Sequence, residues 1–107
     1  MGDTGGPESN LYKFRLKIII NPDIVVVPLG ARIPLRKALT ENYGNERVGF
    51  TLMRAPASLH SYNVTINRRS FRDDVDNTSS QIIDTMSDYP IVASVDYRGF
   101  ELVEEDG

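Results

Sequence analysis

Tyr12, Phe14, Leu16, Ile18 and Ile20 fall on one parity of a ten-residue segment, and Lys13, Arg15 and Lys17 fall on the other. A period of two sends alternate side chains to opposite faces of an extended chain. The segment therefore predicts a half-buried strand with one apolar and one basic face, which needs a sheet and a covering layer to bury its apolar side. With 107 residues, 40% of them hydrophobic, the chain is one domain's worth of polypeptide. A chain of this size can build a core without metals or crosslinks. Cysteine is absent, which excludes disulfides, thiolate metal sites and cysteine nucleophiles.

The rest of the chain supplies the remaining layers. Residues 1–10 are Gly-, Pro- and polar-rich and read as a flexible tail. Asn21-Pro22-Asp23 is a turn signal, and Ile24–Val27 is a β-branched run expected as a buried strand. Ile33–Tyr43 predicts the main helix, with Pro34 in its first turn, Leu35, Ala38, Leu39 and Tyr43 on one face, and Gly44 as its C-terminal cap. Val48, Phe50 and Leu52 alternate as a third strand, and Tyr62, Val64 and Ile66 as a fourth. A short second helix is expected near Thr78, capped by Asn77 or Thr78, buried through Ile82, Ile83 and Met86, and stopped by Pro90. Ile91–Val95 reads as a strand, Asp96–Gly99 as a turn, and Phe100–Val103 as the returning strand. Residues 104–107 form an acidic, frayed end.

The expectation is a single α+β domain over residues 11–103: a mixed sheet of about five or six strands packed on one main helix, plus a short second helix. The expected core is Phe14, Leu16, Ile18, Ile20, Val25, Val27, Leu35, Leu39, Phe50, Leu52, Val64, Ile66, Ile82, Ile83, Val95 and Leu102.

Catalytic signatures are missing. The single histidine, His60, has no motif that supplies an orienting partner and a nucleophile, and reads as a strand-edge side chain. Asp74-Val75-Asp76-Asn77-Thr78 has the Asp-x-Asp-x-Thr spacing of phosphotransferase nucleophile motifs. It does not follow a buried strand. As a calcium loop it would need a glutamate where Thr85 stands. Asp73, Asp74 and Asp76 read instead as a solvated loop whose charge suits a helix N-terminus. Arg68, Arg69 and Arg72 make a basic cluster beside those acids, and local pairing between them is the simpler reading. No catalytic residue, cofactor or metal site is expected, and the protein is expected not to be an enzyme. A net charge of -3 argues against nucleic acid as the partner. No apolar run approaches the roughly 20 residues that span a bilayer. The N-terminal residues lack the order of a signal peptide. A cytoplasmic location, or one within an assembled particle, is expected.

The order strand, turn, strand, helix, strand over residues 11–54 resembles the β-grasp of ubiquitin-like domains. Ubiquitin-like modifiers end in Gly-Gly, whereas this chain ends Glu105-Asp106-Gly107, so the resemblance does not carry conjugation chemistry. Within that superfamily it is similar to PB1-type interaction domains, which join a basic first strand to an acidic loop head to tail. The resemblance implies a basic face of Lys13, Arg15 and Lys17 and an acidic one of Asp73, Asp74 and Asp76; the family's glycine among the acids is missing here. The expected function is thus a protein–protein interaction module that self-associates or captures a protein partner. The alternatives are a small structural subunit of a virion or secretion machine, and an acidic inhibitor or accessory protein of an enzyme or nucleoprotein.

Overall fold

Four strands form one antiparallel sheet in the computed structural model, which describes residues 9–23, 31–55 and 60–103. In chain order the elements are β1 (Ser9–Ile20), α1 (Arg32–Tyr43), β2 (Phe50–Arg54), β3 (Ser61–Phe71), a short 3-10 turn (Arg72–Asp74), α2 (Val75–Ser87) and β4 (Val92–Leu102). The spatial order is β2-β3-β1-β4, and each neighbouring pair is antiparallel. It follows that β1 runs parallel to β2 with β3 between them, and β3 parallel to β4 with β1 between them. Two interleaved β-α-β units of this kind make the ferredoxin-like topology.

The alternation in β1 does what the sequence demands. Tyr12, Phe14, Leu16, Ile18 and Ile20 are all buried, flanked by Tyr62, Val64 and Ile66 of β3 and by Phe50 and Leu52 of β2. Both helices pack on this face. α1 contributes Leu35 and Leu39, and α2 contributes Val75, Ile82 and Met86 at helical spacing. Polar ties supplement the apolar contact. Ser70 and Thr78 share a buried hydrogen bond of 3.0 Å between β3 and α2, and Ser79 and Tyr97 share one of 2.9 Å between α2 and β4. Arg32 fastens the start of α1 by donating to the Leu52 carbonyl at 3.1 Å, and Glu46 holds Arg36 at 3.2 Å.

Several expectations are corrected. The sheet is antiparallel rather than mixed, and it has four strands among the described residues rather than five or six. One reason lies in the chain's last segment. Asp96–Gly99 is not a turn, and Val92–Leu102 is a single strand. Its ladder with β1 slips between Arg15 and Leu16, where Arg98 is extra, and between Ile19 and Ile20, where Ala93 is extra. Each bulge inserts one residue and resets the alternation. Val92, Val95, Tyr97, Phe100 and Leu102 therefore share the helix-bearing face despite irregular spacing. Gly99 supplies the positive φ of 102° at the Arg98 bulge, which mimics a turn signal in the sequence.

α2, with 13 residues, is no shorter than α1, with 12. It begins at Val75, so Asn77 and Thr78 lie inside it and Asp74 stands at the N-cap without a side-chain capping bond. The Thr78 hydroxyl donates back to the Asp74 carbonyl at 3.1 Å. Val48 sits in a turn, exposed, ahead of β2. Leu102 is 55% exposed rather than buried, and Ile83 and Val95 are half-buried against the core. Tyr62, Val75, Ile91 and Val92 join the core beyond the residues expected there, and Tyr12 and Met86, expected on the apolar faces of their elements, are buried as well. β1 starts at Ser9, within the segment expected as tail. Ile24–Val27, the strand on which the ubiquitin-like resemblance depends, lies outside the described residues, as do Val25 and Val27 of the expected core and residues 104–107.

Candidate interaction surfaces

The side of the sheet opposite the helices presents the odd parity of β1. Lys13, Arg15 and Lys17 stand in a row there, spaced about 7 Å apart by the rise of two strand residues. No helix among the described residues covers this face. The register places Asn67, Thr65 and Asn63 of β3 on one side of the row, and Glu101, Gly99 and Asp96 of β4 on the other. Arg15 forms an ion pair with Glu101, and Asp96 pairs with Arg98 at 2.8 Å. The basic row is therefore partly balanced along its β4 side. Lys13 and Lys17 form no ion pair among the described residues.

The acidic residues lie elsewhere. Asp73 and Asp74 belong to the 3-10 turn and Asp76 to the first turn of α2, all exposed on the helix side of the domain. Carboxylates there interact favourably with the helix N-terminal dipole. No ion pair among the described residues joins them to the basic row, so the two charged surfaces are separate. Among the described residues no group of three or more acids or histidines is placed to hold a metal ion. His60 precedes β3, half-buried, and its carbonyl accepts from the Ile20 amide at 2.8 Å.

Arg68, Arg69 and Arg72 do not form one cluster. Successive residues of a strand point to opposite faces, so Arg68 shares the helix side with Tyr62, Val64 and Ile66 while Arg69 takes the open side. Arg72, on the 3-10 turn, borders a groove with Tyr12, Val75, Phe100 and Leu102. Tyr62 is fully buried in the core.

Two features escaped sequence reasoning. The first is that groove, where Phe100 and Leu102 remain 48% and 55% exposed at the end of β4. Phe100 packs its ring against Tyr12 and Phe14 with centroids 5.7 and 6.1 Å away. Only the bulges bring these residues to this face, and spacing alone does not show a bulge. The second is a cleft of about 110 Å³ between the C-terminal end of α1 and α2, bordered by Tyr43, Arg68, Gln81 and Thr85. The Arg68 guanidinium lies over the Tyr43 ring, 5.6 Å from its centroid. Arg68's even parity with Val64 and Ile66 was the available signal for this placement.

Nearby, Tyr89 accepts a hydrogen bond from Asn42 at 2.8 Å and donates to the Ala38 carbonyl at 3.3 Å. Burial, followed by the neighbouring Tyr43, pushes its phenol up to about 12. Compared with known proteins, the chain matches no family model, and no curated protein or solved structure gives a match.

Proposed function

We propose that this chain is a non-enzymatic protein–protein interaction module whose helix-free sheet face binds an acidic surface. The observation that carries the reading is the row of Lys13, Arg15 and Lys17 on a face that no described helix covers. An antiparallel sheet with one solvated face needs polar residues there, but not three aligned cations. The separate acidic surface at Asp73, Asp74 and Asp76 suits the same row on a second copy. A contact that joins two different surfaces is heterologous, and repeated without closure it builds chains or rings.

Light scattering after size exclusion, over a range of protein and salt concentrations, tests this. The expected result is concentration-dependent growth that salt suppresses. Lys13→Glu with Lys17→Glu abolishes it, as do Asp73→Lys and Asp74→Lys together. A mixture of the two double variants regains association, because the intact acidic turn of one meets the intact basic row of the other. A chain that stays single under all conditions overturns self-association, and the row then answers to an acidic partner of a different kind.

A second reading, a structural subunit of a larger assembly, is favoured by the exposed Phe100 and Leu102. Oligomers that resist salt and are lost in Phe100→Ser with Leu102→Ser would establish it in place of the first.

A further inference from the structure

The cleft between α1 and α2 gathers three hydrogen-bond donors, one buried and two exposed at its rim. The Tyr43 hydroxyl oxygen is buried and has no hydrogen-bond partner. Arg68 forms no ion pair or hydrogen bond among the described residues; its one contact of that kind is the face of the Tyr43 ring. The Gln81 side-chain amide, also on the rim, makes no hydrogen bond among the described residues. Asn42 also borders the cleft, and its amide group donates to the Ala38 carbonyl and the Tyr89 hydroxyl. The Thr85 hydroxyl donates to the Gln81 carbonyl at 2.8 Å, and the Thr78 hydroxyl donates to the Asp74 carbonyl at 3.1 Å. No carboxylate borders the cleft.

From this convergence of a guanidinium, an amide and a phenol, we infer that the cleft binds a single oxyanionic group, a carboxylate or a phosphoryl group. Leaving the buried Tyr43 hydroxyl without a partner is costly, and an oxyanion supplies its acceptor while the exposed Arg68 and Gln81 add donors from the rim. Arginine presents a planar fork of donors that matches either group. The volume, about 110 Å³, sets the size. A cleft of that size admits one carboxylate or phosphate group. Burial raises the pKa of the Tyr43 phenol, against the smaller opposing effects of the Thr85 hydroxyl and the Arg68 charge, so it keeps its proton across the neutral range. Stacking on the ring holds the guanidinium at the mouth of the cleft. The site is distinct from the basic row, since Arg68 and Lys13 lie on opposite sides of the sheet.

Amide and guanidinium NMR shifts of the intact chain test the site, with inorganic phosphate and acetate as probes and sodium chloride at matched ionic strength as the baseline. Saturating shifts are expected at Arg68 Nε and at the backbone of Gln81–Thr85. Arg68→Met is expected to weaken binding by about tenfold or more, since a charged donor is lost. Tyr43→Phe should weaken it less, and Arg98→Met on β4 should leave it unchanged. A peptide bearing one glutamate or phosphoserine forms the second arm. Saturation by phosphate or acetate alone assigns a free anion. Saturation by the peptide alone assigns an acidic side chain of a protein partner. Shifts that rise linearly with every salt, or a saturating curve that survives both Arg68→Met and Tyr43→Phe, overturn the proposal. Should Arg68→Met fail to fold, Tyr43→Phe and Gln81→Ala decide.

Discussion

Gly49 shows how much one residue can settle in this chain. A Cβ placed there would lie 1.7 Å from the Tyr43 carbonyl oxygen, at the last turn of α1. The loop after α1 thus folds back against the helix end, and only a residue without a side chain permits it. Gly49→Ala is expected to cost about 1–3 kcal/mol, the range for forcing atoms into a packed site, read as a shifted urea midpoint. Tyr89 makes a second residue-scale statement. Its phenol is pushed from 10.0 to about 12 in the folded chain. Below pH 10 both folded and unfolded chains keep the proton, and the stabilisation is fully present. As pH rises from 10 towards 12 the unfolded chain loses its proton first, so stability falls. Tyr89→Phe should flatten that alkaline decline in a pH series of denaturant melts, while absorbance reports the loss of the late tyrosinate. Neither effect can be read from composition. A glycine beside a helix and a tyrosine before a proline are common, and it is the neighbour brought by folding that gives each its role.

At the scale of elements, the even residues of β1 and β3 and the face Leu35–Leu39 of α1 were legible, because burial there follows one uninterrupted period. β4 was legible only in part. Its two bulges break the period, and Asp96–Gly99 then has the composition of a turn. Gly99→Ala tests the correction. Nothing lies within 4 Å of the added atom, so the cost comes from the backbone at φ 102° alone. It should amount to about 1–2 kcal/mol, with amide exchange accelerated along β4 before other strands. The tie between α2 and β4 is smaller. Tyr97→Phe removes its hydrogen bond to Ser79, whose hydroxyl still donates to the Val75 carbonyl at 2.9 Å. The loss should be near 1 kcal/mol by equilibrium unfolding. The bulges also twist β4 away from flat pairing, and Asp96, Arg98 and Glu101 add charge to it. Both devices discourage edge-to-edge addition of another strand at β4.

For the whole molecule, the charges matter by position rather than by sum. A net charge of -3 hides a basic row on one side and an acidic turn on the other. The exposed pair Arg15–Glu101 should contribute little to stability, since surface ion pairs are worth about 0–1 kcal/mol. Glu101→Gln is therefore expected to leave the melting temperature nearly unchanged while making the row more basic, and to strengthen salt-sensitive self-association measured by light scattering. The sequence alone determined that β1 has two unlike faces, that Lys13, Arg15 and Lys17 share one of them, and that a helix follows near residue 33. Each of these depends only on local periodicity, which the chain carries wherever it folds. The strand order, the two bulges and the meeting of Arg68 with Tyr43 were decided by tertiary structure. They depend on which distant segments pack together, and one-dimensional spacing holds no measure of that.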